Sequence, residues 1–103
     1  MNLTEYNNFE IHITCDLPDL TGLKDIKTMF LYEELAIKHG WSTSMIDGDP
    51  LLGKGGRYYF TAHAEAEDLA YNRMESFAKI LANNGIKIIR KKIEVIIYDT
   101  KGK

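Results

Sequence analysis

Two triplets of the chain mirror each other: His12-Ile13-Thr14 near the start and Thr61-Ala62-His63 past the middle. In an extended strand, residues two apart project from the same side, so each triplet presents an imidazole and a hydroxyl together. The run Arg90-Lys91-Lys92-Ile93-Glu94 presents Arg90, Lys92 and Glu94 on one side by the same period. Two imidazoles, two hydroxyls, two cations and a carboxylate are what an anion such as a phosphate ester needs. They also supply a general acid and base. Two histidines with Glu94 match metal-ligand types as well, but Arg90 and Lys92 would repel a cation, so metal is the weakest use of the set. Either histidine alone is ordinary on a solvent-facing strand. The combination is what suggests a site.

A second candidate fails on inspection. GDPLLGKG, 48 to 55, lacks one residue of the phosphate-binding pattern G-x-x-x-x-G-K-[ST]: Gly48, Gly53 and Lys54 fit, and Gly55 replaces the hydroxyl. Such a loop must lead into a helix, whose N-terminus holds the phosphates. RYYFTAH follows instead and reads as a strand. A calcium loop starting at Asp47 and Asp49 fails too, because Leu51 and Tyr58 occupy ligand positions. What remains is a long hairpin loop whose Lys54 and Arg57 can close over a neighbouring site.

These residues must be placed by their elements. FEIHITCDL, 9 to 17, alternates Phe9, Ile11, Ile13 and Cys15 against Glu10, His12, Thr14 and Asp16, which predicts a half-buried strand. PDLTG, 18 to 22, is a turn cluster. Leu23 to His39 reads as a helix stopped by Gly40. Its apolar residues are not confined to one stripe: Leu23, Ile26, Phe30 and Ile37 mark one side, Leu31 and Leu35 another. A wide core face is the expected reason, contact with a partner subunit the other. WSTSMID, 41 to 47, and RYYFTAHA, 57 to 64, read as strands, the latter alternating Tyr58, Phe60 and Ala62 against Tyr59, Thr61 and His63. Residues 65 to 85 form the clearest helix, with Ala66, Ala70, Met74, Phe77 and Leu81 on one face, acidic residues in its first turn and Gly85 at C′. IKIIRKKIEVIIYD, 86 to 99, is a long strand. Its core phase carries Ile89, Lys91, Ile93, Val95 and Ile97; Lys91 is the odd member, expected where the strand outruns the helices.

The order β-α-β-β-α-β predicts an α+β, ferredoxin-like sandwich: an antiparallel sheet in the order 4-1-3-2 with both helices on one face. The other face stays open and collects Glu10, His12, Thr14, Tyr59, Thr61, His63, Arg90, Lys92 and Glu94. The first and third strands run antiparallel. One register sets His12 beside His63 and Thr14 beside Thr61, with Cβ atoms roughly 5 Å apart.

The 103 residues predict one domain, and 45% hydrophobic residues suffice for a core. Net charge −2, from 13 basic and 15 acidic residues, makes no electrostatic case for nucleic acid. Arg90-Lys91-Lys92 with Tyr59 nearby resembles an RNA-binding sheet only superficially, since the RNP1 aromatic pattern is absent. Cys15 is the sole cysteine, which excludes an internal disulfide and predicts an inert buried thiol. Trp41, just after a helix, is expected to pack. No apolar run reaches membrane-spanning length, and MNLTEYNNFE lacks a basic n-region and an apolar h-region, so a cytoplasmic protein is expected.

FEIHITCD, FTAH and KKIEVIIYD resemble a group of small phage and bacterial proteins with E-I-H-I-T, T-x-H and K-I-E strand motifs. The resemblance implies a ferredoxin-like fold and draws attention to His12, Thr14, Thr61, His63, Lys92 and Glu94. His12-Ile13-Thr14 is also similar to the H-x-T signature of two-histidine phosphoesterases. Those carry two copies on a larger, two-lobed chain; here the second triplet is reversed, and no catalytic role is carried over.

The expected function is binding of a small anionic ligand, such as a nucleotide or phosphate ester, on the open sheet face. His12 and His63 would contact the anion or shuttle protons, Thr14 and Thr61 would hydrogen-bond it, Arg90 and Lys92 would balance charge, and Glu94 would orient a base. Lys54 and Arg57 would close from the loop. No cofactor is implied, and nothing requires a reaction. The alternative is a non-enzymatic interaction or dimerisation module, acting through the open face or the first helix, for example by occluding a host protein.

Overall fold

The computed structural model describes residues 7–16, 23–46 and 56–97. Six elements follow in order: β1 (Asn7–Asp16), α1 (Leu23–His39), β2 (Ser42–Ile46), β3 (Arg57–Ala64), α2 (Glu67–Asn83) and β4 (Ile88–Ile97). The strands form one antiparallel sheet in the order β2-β3-β1-β4, and the helices share one face of it, which is the ferredoxin-like arrangement. The loop carrying Lys54 lies outside the described residues.

The alternation in β1 decides the layers. Ile11, Ile13 and Cys15 are fully buried, joined by Tyr58, Phe60 and Ala62 of β3. From α2 come Ala70, Met74, Phe77 and Leu81, and from α1 Tyr32, Leu35 and Ala36. Burying one such Ile, Leu or Phe side chain contributes about 1.5–3 kcal/mol. Trp41 packs into the same core, its ring stacked on Phe77 with centroids 4.6 Å apart.

Both helices end alike. Gly85 (φ 75°) donates its N–H to the Ala82 carbonyl, and Ile86 donates to Leu81. Gly40 (φ 76°) donates to Ile37, and Trp41 to Ala36. These are Schellman closures, which need a left-handed residue at C′ and seat an apolar residue just beyond it. Arg73 of α2 ties down the closure at Gly40. Its guanidinium donates to the carbonyls of Gly40 (2.8 Å) and His63 (2.9 Å) and lies over the Trp41 ring.

The structure decides the register that the sequence left open between β1 and β3, and three expectations need correction. The β1–β3 register sets His12 opposite Thr61 and Glu10 opposite His63, so the two histidines are not side by side. A two-residue slip leaves every side chain on its face, so burial cannot choose between these registers. Charge can. The observed one opposes Asp16 to Arg57 and Glu10 to His63, whereas the other would set Glu10 against Glu65, and directly opposed like charges are destabilising.

In β4 the core phase is broken. Thr14 pairs with Arg90 but Cys15 with Ile88, so Ile89 is an extra, bulged residue, 42% exposed, while Ile88 packs on the core. Val95, on this edge strand, is 55% exposed. Lys91 does not outrun the helices. It is accommodated at their margin, where its Nζ reaches both Glu75 oxygens on α2 at 3.0 Å.

The extra apolar residues of α1 are not core. Ile26, Phe30 and Ile37 are 39%, 69% and 78% exposed, because Tyr32, Leu35 and Ala36 on the other side of the helix are the ones that meet the sheet.

Candidate functional site

Pairing across the sheet arranges the open face in rows. One row runs Ser44, Tyr59, Thr14, Arg90 from β2 to β4. The next runs Ser42, Thr61, His12, Lys92, and the third His63, Glu10, Glu94. These rows enclose a shallow depression of about 300 Å³. His12, Thr14, Ser44, Tyr59, Thr61, Arg90, Lys92 and Glu94 line it. That volume is at the lower end for small-molecule sites.

His12 is the hub. Its Nε2 lies 2.6 Å from Glu10 Oε1 and 3.5 Å from Glu94 Oε1. Its Nδ1 lies 3.2 Å from Thr61 Oγ1. Glu10 turns its second oxygen, Oε2, to His63 Nε2 at 3.0 Å. One carboxylate therefore orients both imidazoles. A carboxylate only accepts, so the Nε2 of His12 carries a hydrogen, and in the neutral ring Nδ1 is the acceptor facing the Thr61 hydroxyl. Lys92 Nζ donates to Glu94 Oε1 at 2.6 Å and holds that carboxyl below the ordinary carboxylate range. The nearby His12 and Arg90 charges act in the same direction.

Six of the residues singled out from the sequence thus line the depression: His12, Thr14, Thr61, Arg90, Lys92 and Glu94. His63 lies outside it and is linked through Glu10. Arg57 opens β3 rather than riding on the loop. It faces Asp16, with Nη1 3.8 Å from the carboxylate and 2.9 Å from the Gly56 carbonyl. Sequence reasoning placed Glu10 and Tyr59 on this face without ranking them as site residues. Their strand phase, shared with His12 and Thr61, was the available signal. Ser44 had only the alternation of a short strand to mark it. Among the described residues, no group of three or more His, Cys, Asp and Glu side chains could hold a metal ion.

On the other side of the sheet the titratable groups are structural. Burial, then the Asp16 charge, pushes the Cys15 thiol up to about 12. Burial also raises the Tyr58 hydroxyl, helped by its hydrogen bond to the Glu33 carboxylate, which Thr43 shares.

No protein-family model matches the chain, and no curated protein matches it. Among solved structures, it is similar to a protein of unknown function from Pediococcus pentosaceus, with a TM-score of 0.39 and 13% identity over 95% of this chain and 97% of that one. It is also similar to the ligand-free regulatory subunit of aspartate kinase from Thermus thermophilus, with a TM-score of 0.33 and 18% identity over 86% of this chain and 49% of that one. At these scores neither likeness bears on activity. No helix among the described residues is long and apolar enough to cross a membrane.

Proposed function

We propose that the open sheet face binds a small anion of the phosphate-ester or nucleotide class in the depression between Arg90 and Thr61. One observation carries this reading. Among the described residues of this face, Arg57 pairs with Asp16 and Lys92 with Glu94, while Arg90 has no hydrogen bond or ion pair. A guanidinium left open beside Thr14, in a row that continues through Tyr59 to Ser44, suits a phosphoryl group, which accepts several hydrogen bonds at once. The row order puts Tyr59 two strand spacings from Arg90, roughly 10 Å between Cα atoms, within reach of an ester's organic part.

Thermal unfolding with inorganic phosphate and with nucleoside monophosphates tests the reading. Binding at a hundredfold excess over Kd adds about 2.7 kcal/mol of apparent stability, and the shift should vanish in Arg90→Ala. A flat melt across the series would sink it.

A second reading, a protein-interaction module, is favoured by the exposed stripe of Ile26, Phe30 and Ile37 on α1. Light scattering of wild type against Phe30→Glu tests it: an assembly that the charge disperses supports the module, and identical monomers remove the self-association form of it.

A further inference from the structure

Thr61, His12 and Glu10 place a hydroxyl, an imidazole and a carboxylate in line. We propose that Thr61 is the nucleophile of a phosphoryl-transfer site, with His12 its general base and Glu10 the positioning residue. The inference rests on the anion reading above and goes further, from binding to reaction.

Glu10 Oε1 sits 2.6 Å from His12 Nε2 and fixes the hydrogen there. The free lone pair is then on Nδ1, 3.2 Å from Thr61 Oγ1, so the hydroxyl hydrogen is directed at it. This is the arrangement that activates a weak nucleophile: base within reach of the hydroxyl, third group orienting the base. Two further contacts keep it in place. Glu94 Oε1, 3.5 Å from the same Nε2, favours the same tautomer and stabilises the imidazolium that forms. His63, 3.0 Å from Glu10 Oε2, holds the carboxylate from its other oxygen. Thr61 and His12 line the same depression as Arg90, so the hydroxyl, its base and the open guanidinium face one space.

The step balances with a phosphate monoester and water. Thr61 Oγ1 bonds to phosphorus as its proton passes to His12 Nδ1. The bond from phosphorus to the ester oxygen breaks, and the departing alkoxide or phenoxide takes that proton. Water, deprotonated by His12, then attacks the phosphothreonine; the bond from phosphorus to Thr61 Oγ1 breaks and Oγ1 takes that proton back from His12, which releases inorganic phosphate and restores the hydroxyl and the neutral base.

The probe is p-nitrophenyl phosphate with the full chain. Nitrophenolate release is expected, together with a phosphoryl adduct that acid quenching and peptide mass mapping place on Thr61. Thr61→Val, which keeps shape and strand preference, should abolish both the adduct and the release, and His12→Ala should lower kcat on the order of 10²–10⁴-fold, the usual worth of positioned proton transfer. Glu10→Gln should lower kcat with little change in KM and alter the pH profile, and Glu10→Asp should recover part of the rate. Melts of each variant show that it folds. Release that survives Thr61→Val, or wild type that binds inorganic phosphate but releases nothing, overturns the nucleophile and leaves the anion site standing. A wild type that neither binds phosphate nor turns over removes both.

Discussion

Glu10 and Glu94 stand directly opposite each other across the β1–β4 pair, two carboxylates face to face, with His12 Nε2 between them at 2.6 and 3.5 Å. Like charges in that position repel, so the imidazole screens a conflict built into the sheet. The same contacts that orient the His12 ring therefore also stabilise the fold.

Removing the screen should be costly and salt-dependent. His12→Ala is expected to lose about 1 kcal/mol, which lowers Tm by roughly 4–8 °C in a domain of this size. At 1 M salt, where the screening length is about 3 Å, most of that loss should disappear. Adding Glu94→Gln to His12→Ala should recover it. Calorimetry of the three proteins at two salt concentrations reads the outcome; a loss indifferent to salt and to Glu94 would mean that packing, not charge, is what His12 contributes.

The Lys92–Glu94 contact sets an acid limit on this part of the sheet. Its hydrogen bond and charge hold the Glu94 carboxyl below its ordinary value of 4.5. A carboxyl lowered in the folded state adds stability that is complete above pH 4.5 and is lost as pH falls through the folded value. Carboxyl carbon titration by NMR should show the Glu94 midpoint moving up toward 4.5 in Lys92→Met. A midpoint that stays put would assign the shift to another neighbour.

Alkali should act through the core instead. Burial raises the Cys15 thiol from 9.0 to about 12, and the Tyr32 hydroxyl from 10.0 to about 12. Groups whose folded pKa is raised in this way favour the neutral form, so their contribution is complete below pH 9 and declines as pH climbs toward 12. Thiol labelling by an aromatic disulfide should be negligible at pH 8 and should rise in step with loss of the circular dichroism signal above pH 9. Fast labelling of a fully folded chain at pH 8 would contradict the burial of Cys15.

The two helix closures should not tolerate alanine equally. Gly40 and Gly85 share a left-handed backbone, with φ of 76° and 75°, which an L side chain adopts at a cost of about 1–2 kcal/mol. A Cβ at Gly85 would meet nothing within 4 Å, whereas one at Gly40 would lie 3.2 Å from the Arg73 guanidinium. Gly40→Ala is therefore expected to destabilise more than Gly85→Ala, by the disturbance of Arg73's bonds to Gly40 and His63. Urea unfolding of both variants measures the difference, and equal losses would mean that Arg73 adjusts freely.

Much of the architecture was legible in the residues. The strict alternation of Ile11, Ile13 and Cys15 against Glu10, His12 and Thr14 settles which side of β1 is buried, and Gly40 and Gly85 mark both helix ends. The acidic first turn and apolar stripe of α2 need no tertiary information either. The α1 stripe was less legible. An apolar side chain at helical spacing is compatible with the core or with solvent, and only the docking of Tyr32, Leu35 and Ala36 on the sheet leaves Phe30 and Ile37 outside.

The sequence by itself determined the order of the elements, the two faces of the sheet, and the gathering of His12, Thr14, Thr61, Arg90, Lys92 and Glu94 on one of them. Tertiary structure decided how those residues meet. Alternation has a period of two, so every even slip of β1 against β3 satisfies it, and the choice falls to pairs far apart in the chain, such as Asp16 with Arg57 and Glu10 with His63. The bulge at Ile89 is of the same kind, since a single unpaired residue shifts the phase of one strand end without disturbing its composition. That choice of register separates the histidines, puts the Thr61 hydroxyl beside the His12 ring, and makes Glu10 their common partner.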